Sequence, residues 1–210
     1  MAKPVYVIGG GRHGKVVIDT LLTAGVTLTG VLDPGLEVGA QVFGVPVLGD
    51  DHYLDQTDPA SVLVVNGVGG SPDSDLRKRI GLKFKTRGFG FQPVRHLSAS
   101  ISRHATMADS AQVMAGAILQ NGVVLGSNVV VNTHASLDHG CQIGAHSFVA
   151  PGVVLCGDVI VGEGVFLGAG AVVMPEVKIG AGAVIGGGAV VIKHVPAGWR
   201  VAGNPADKIS

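Results

Sequence analysis

Aromatic side chains are scarce in this chain: six Phe, two Tyr and one Trp among 210 residues. Rings are the bulkiest core fillers, so the composition argues against a broad core and suits a narrow one packed with Val, Ala and Leu. Cysteine is nearly missing as well. Cys141 and Cys156 make no disulfide framework and are expected to be reduced thiols of a cytoplasmic protein. Net charge is also lacking, with 15 Lys+Arg against 15 Asp+Glu. No strong field is left to steer nucleic acid or a membrane surface, and neither is an expected partner. Long apolar runs are wanting too. The opening MAKPVYVIGG is far too short for a signal peptide or a membrane span, and later apolar stretches are cut by Gly, Asn and Asp every few residues.

Glycine is abundant, at 34 residues, and much of it is ordered. Written in rows of six from Ile101 to Pro196, the chain forms sixteen rows with no insertion. The first position of each row is always aliphatic: Ile101, Met107, Val113, Leu119, and so on to Val191. The fifth is always small or β-branched: Ala105, Ala111, Ala117, Val123, Val129 and onward to Val195. A period of six fits neither the 3.6 of a helix nor the 2 of a hairpin sheet. It predicts a parallel β-helix in which each row is one short strand and a turn. The fifth residue and the next row's first are two apart, so both face the interior of one strand. With three rows per coil, residues 18 apart stack. Glycines at second and fourth positions, such as Gly144, Gly162, Gly170 and Gly188, are expected at corners.

The first 95 residues read differently. Val5 to Ile8 is a buried parallel strand. Gly9-Gly10-Gly11-Arg12-His13-Gly14 follows, then a helical pattern from Lys15 to Ala24 closed by Gly25, then a strand from Leu28 to Leu32 ending at Asp33. This is a small Rossmann-like βαβ start. Its loop would place backbone N–H groups at a helix N-terminus, which suits a phosphate, with Arg12 or His13 adding charge. The Gly9-x-Gly11-x-x-Gly14 spacing with Asp33 about 20 residues on fits a nucleotide. A third strand is expected over Ser61 to Val65, a second glycine loop over Asn66 to Ser74, a helix from Asp75 and a strand near Thr86 to Phe91. The domain is too short for a full doubly wound sheet, so a nucleotide diphosphate between the two loops suits it better than a dinucleotide.

Three stretches together resemble one family. VIGGGRHGKVVID at the start, NTHASLDHGCQIG within the rows and VAGNPA near the end are similar to the bacterial sugar O- and N-acyltransferases, which include acetyltransferases of nucleotide-linked 4-amino-4,6-dideoxy sugars. The resemblance covers nearly the whole chain. It implies an α/β nucleotide-sugar-binding domain (1–95), a left-handed parallel β-helix of hexapeptide repeats (96–196) and a C-terminal tail (197–210). It also implies a homotrimer with active sites between subunits and acetyl-CoA as co-substrate, with no metal.

The resemblance assigns roles residue by residue. His139 matches the catalytic histidine. Members of the family often carry an acidic residue directly after it; here Gly140 stands there and Asp138 precedes it, which makes Asp138 a candidate to orient the imidazole. Asn132 matches an asparagine near the acceptor, and Gly157 and Gly187 match backbone positions lining the pantetheine arm. Gly11, His13 and Gly14, with Arg12 beside them, match the phosphate loop. Asp33 matches the residue that meets base or ribose, and Asn66 and Gly67 fall near the second loop. Phe148 stands where a relative has a second histidine.

From the residues alone, His139 is the third of its row, a corner position with Asn121 and Gly157 stacked on either side. An imidazole titrating near neutrality suits removal of a proton from an amine attacking a thioester. Cys141 falls on an interior position, which argues against a thiol nucleophile. His104 and His146, both fourth in their rows, read as corner or interface residues. Two rivals remain at this level. One is O-acetylation of the sialic-acid type. The other is a zinc carbonic anhydrase, for which His134 and His139, five apart, resemble part of a ligand set. Lys208 in the tail either meets a CoA phosphate or belongs to a loop that caps the coil.

Overall fold

A computed structural model describes residues 2–209, and the chain divides into two compact units, Met1–Leu97 and Ser98–Ser210. In the first, β1 (Val5–Ile8), α1 (Arg12–Thr23), β2 (Gly30–Leu32), β3 (Gln41–Val42), β4 (Val45–Gly49), β5 (Leu63–Asn66), α2 (Leu76–Thr86) and β6 (Gly90–Phe91) follow one another. The sheet order is β3-β4-β2-β1-β5-β6. β1 pairs in parallel with β2 on one side and β5 on the other. All four residues of β1 are buried, as an apolar run in a parallel sheet requires. Chain order reverses between β1 and β5, and such a switch point leaves a crevice at the carboxyl ends of the two strands.

The sequence reading needs three adjustments here. α1 begins at Arg12, three residues before the expected start, so Arg12, His13 and Gly14 form its first turn. α2 runs on to Thr86 and shortens the last strand to Gly90–Phe91. A hairpin absent from the sequence reading, β3–β4, pairs antiparallel and supplies the sheet's edge. Its two-residue turn is Phe43-Gly44, both left-handed (φ 50° and 82°), the twist a tight hairpin needs.

The second unit is a parallel β-helix. Each strand is two residues, the sixth of one row and the first of the next, and strands 18 residues apart pair in register. Leu119 thus aligns with Leu137, Leu137 with Leu155 and Leu155 with Val173. Three such ladders form the faces of the coil, and the inward aliphatic residues make one continuous buried column. The last row departs from the pattern. Val195 bridges to Ile179 and Arg200 aligns with Val184, both 16 apart, so the closing turn is two residues short. The tail then folds into the same unit. Arg200–Ala202 extends one face and Asp207–Lys208 pairs back on it antiparallel, which covers the open edge that a β-helix must protect.

The two glycine positions have separate causes. Every row from Gly116 to Gly188 has its fourth residue at positive φ, whether glycine or not; that is the corner. At the second position the constraint is space: a Cβ on Gly162 would lie 2.6 Å from the Ala181 nitrogen one coil on. Among the described residues, no helix is long and apolar enough to cross a membrane.

Candidate active site

The crevice of the first unit is built by two loops. Gly11 caps α1 with no side-chain hydrogen bond and no acidic residue in the first turn, leaving the positive end of the helix dipole to an anion. A Cβ on Gly11 would meet nothing within 4 Å, so this residue faces open space. Gly14 and Gly67 are different. A Cβ on either would run into the carbonyl oxygen of Gly9. Their role is to let helix and loops pack at backbone distance. The His13 Cβ lies close to Gly69 of the second loop, bringing the two loops together.

Two predicted ligand residues are engaged in holding these loops. Asp33 accepts from the Gly10 N–H with one carboxylate oxygen (2.7 Å) and from the Gly35 N–H with the other (2.8 Å). Asn66 is buried; its amide donates to the Arg77 carbonyl (2.9 Å) and its side-chain oxygen accepts from the Val68 N–H (3.1 Å). Arg77 was not singled out from sequence. It lies in the first turn of α2, where a cation opposes the helix dipole. It is buried there, and its Nη1 donates to the carbonyls of Asn66 (3.2 Å) and Val68 (2.6 Å). Burial pushes its pKa down to about 9, still above neutrality, so a positive charge sits beside the second loop. The signal for it in the sequence is the basic residue at the wrong end of a helix.

In the second unit, His139 stands at a corner between the strands Ser136–Leu137 and Gln142–Ile143. Its imidazole lies over Gly157, filling the space a side chain there would take: a Cβ on Gly157 would be 2.7 Å from Nε2. The Asp138 carboxylate accepts from the backbone N–H of His139 itself (2.7 Å). The carboxylate that reaches the imidazole is Asp158, its Oδ2 3.7 Å from Nδ1.

Asn132 and Gly187 are not brought to this corner. They belong to the preceding corner of the coil, as does His134, whose ring lies against Gly116. His134 and His139 therefore occupy different corners despite their close spacing. Among the described residues, no group of three His, Cys, Asp or Glu is placed to hold a metal ion. Cys141 is fully buried; its thiol donates to the Cys156 carbonyl (3.1 Å), and burial pushes its pKa up to about 11. It is a neutral interior thiol. His146 shares a 3.1 Å contact with the Asn128 amide. Phe148 is half-buried on its strand, its ring stacked on that of Phe166 at 5.6 Å and nearly parallel to it. The Lys208 ammonium lies 4.6 Å above the Trp199 ring.

Residues 4–83 match the PglD N-terminal domain and residues 158–193 the bacterial transferase hexapeptide repeats. The acetyltransferase domain of PglB from Neisseria gonorrhoeae, solved with acetyl coenzyme A, is 33% identical, with a TM-score of 0.91 and 100% of both chains covered. The chain belongs to the hexapeptide-repeat sugar N-acetyltransferases. A histidine-to-asparagine mutant of perosamine N-acetyltransferase from Caulobacter crescentus, solved with CoA and GDP-perosamine, is 34% identical; its TM-score is 0.90, with 100% of this chain and 98% of that one covered. WeeI from Acinetobacter baumannii, at 24% identity and TM-score 0.66, shares the fold. No curated protein sequence matches the chain. As in other hexapeptide-repeat acetyltransferases, the coil is the left-handed β-helix.

Proposed function

We propose that this protein transfers the acetyl group of acetyl-CoA to the 4-amino group of a nucleotide-linked 4-amino-4,6-dideoxy sugar, with His139 as general base. The observation that carries this reading is the His139 imidazole, standing over Gly157 at an exposed corner, in a chain similar along its whole length to enzymes solved with acetyl-CoA and with GDP-perosamine. The amine nitrogen attacks the thioester carbon as Nε2 takes its proton. The tetrahedral oxyanion is met by a backbone N–H, that of Gly157 being the candidate. Collapse breaks the C–S bond, and the leaving thiolate takes the proton back from the imidazolium. Nucleotide and diphosphate are held by the first unit. Gly11 and the first turn of α1 receive phosphate, with Arg12 and His13 supplying charge; Asp33, Asn66 and Gly67 keep the loops in place.

Asn132 and Gly187 lie at one corner of the coil and His139 and Gly157 at another, so a single chain does not assemble every residue the site calls on. A homotrimer supplies the remainder by setting one coil's corner against the next coil's. The exposed aliphatics Ile118, Val154 and Ile160 fit burial at such contacts. Lys208 reaches a CoA phosphate only after leaving Trp199. A cytoplasmic location agrees with both substrates and with two free cysteines.

The test is thiol release from acetyl-CoA with GDP-perosamine, UDP-linked 4-amino sugars, free sialic acid and serine as acceptors. Turnover on one nucleotide-linked amine is expected. Turnover confined to sialic acid would replace the reading with O-acetylation, and silence on all four, with stoichiometric zinc in the preparation, would replace it with a hydratase. The two units are separable in the same assay. Gly14→Ala drives a Cβ into the Gly9 carbonyl, and overpacking of this kind costs about 1–3 kcal/mol. Its KM for the nucleotide sugar should rise by about tenfold or more while that for acetyl-CoA stays unchanged. Equal changes in both would mean the loop does not bind the nucleotide.

A further inference from the structure

The geometry points to Asp158 as the residue that positions His139, working through a space that Gly140 must leave empty. The inference rests on the reading of His139 as general base. Asp158 is one coil above Gly140 in the same corner column, 18 residues on. A Cβ built on Gly140 would collide with the Asp158 Oδ1 and lie 3.1 Å from its Cγ. The carboxylate therefore lies over residue 140 and extends to the neighbouring imidazole, with Oδ2 3.7 Å from Nδ1. That is an ion-pair separation rather than a hydrogen bond. Both side chains are more than half exposed, at 56% and 60%.

Two further features agree. Asp138 turns its Oδ1 to the His139 backbone N–H, and the carboxylate within ion-pair distance of the ring is that of Asp158. The ring also lies over Gly157, next to Asp158 in the same coil, so the imidazole fills the space of a missing side chain at 157 and is directed by a carboxylate at 158. Asp158 also holds a left-handed conformation, φ 60°, as do Asn128, His134, His146 and Glu176 at the same position of their rows. Such a conformation costs a non-glycine residue stability. A carboxylate facing Nδ1 selects the tautomer with its proton there. The Nε2 lone pair is then free to take the proton of the attacking amine. When Nε2 is protonated, the same carboxylate stabilises the imidazolium.

The variant Asp158→Gly puts glycine at a left-handed position, where it bears no Cβ penalty, so its Tm should equal or exceed that of the unsubstituted protein. Its kcat should nonetheless fall by about 10–10²-fold, the usual loss on removing the group that orients a working imidazole, with both KM values within about twofold. The second variant combines Asp158→Gly with Gly140→Asp. A carboxylate rooted at residue 140 projects into the volume the Asp158 carboxylate vacates, and kcat should recover to within about threefold of the starting enzyme. Unchanged kcat in the single variant, or a folded double variant no faster than the single one, would overturn the assignment. A readout that needs no turnover is the ¹⁵N spectrum of the His139 ring. The unsubstituted protein should show the Nδ1–H tautomer and Asp158→Gly a shift towards Nε2–H; identical spectra would overturn the assignment. An enzyme silent on every amine offered would sink the proposed reaction while leaving this spectral test intact.

Discussion

His139→Ala is expected to lower kcat by about 10²–10⁴-fold, the usual contribution of a positioned general base. An amine is protonated in water near neutrality and must lose that proton to attack a thioester, so the loss falls on kcat. Binding should be spared. The acetyl-CoA-dependent rise in Tm should persist, because ligand stabilisation follows occupancy and not turnover. Fold stability should also be spared: the side chain is more than half exposed, and exposed substitutions usually stay within about 0.5 kcal/mol. Two readouts separate a base from a merely structural histidine. Added imidazole should restore part of the rate, and the variant should gain relative to the unsubstituted enzyme as pH rises and more substrate amine is free base. A variant with full kcat would move the base elsewhere and leave the amine to enter already deprotonated.

The coil was legible in the sequence because its code is local and repeated. A row needs an aliphatic first residue and a small or β-branched fifth one, and Leu119, Leu137 and Leu155 satisfy it by stacking on one another. The sixteenth row carries the right residues, yet Val195 falls in the column of Ile179. No further row stacks above the last coil; the tail pairs there instead and sets its register. The hairpin Gln41–Gly49 escaped notice for another reason. Its turn is Phe43-Gly44 rather than the Asn-Gly or Asp-Gly that announces a tight hairpin, and its first strand is two residues long.

The site was legible where a residue's own chemistry announces it and opaque where a partner lies a coil away. His139 could be chosen from its corner position and its flanking motif. Asp158 could not be chosen from neighbours along the chain, because its relation to His139 exists only after stacking with a period of 18. The signal was present all the same: an acid directly above a glycine that is itself beside the histidine. Asp33 and Asn66 show the converse. Both were placed on the nucleotide loops, and both have side chains engaged by backbone groups of those loops. A polar residue at a loop end serves the loop's own backbone first, since an unpaired buried group costs about 1–3 kcal/mol.

Gly157→Ala should nearly match the loss from His139→Ala while leaving the base in place. The added methyl would lie 2.7 Å from Nε2 of His139, closer than carbon and nitrogen can approach, and 3.1 Å from Nδ1, a tight contact. What must give is a side-chain ring at an exposed corner, not backbone, so the coil should stay intact and Tm should move by no more than a few degrees. This contrasts with Gly162, where a Cβ would press on the backbone of Ala181 one coil on and stability itself should fall. At residue 157 the cost falls on geometry. A displacement of about 1 Å in a positioned group can cost about 10²-fold, so kcat should drop by that order. The KM for acetyl-CoA should rise as well if the backbone of 157 lines the pantetheine arm. Added imidazole should do little for this variant, because the displaced His139 ring still occupies part of the space the free base would need. A fully active Gly157→Ala would show that the ring works from another rotamer, and the face of His139 turned to the acceptor would have to be reassigned.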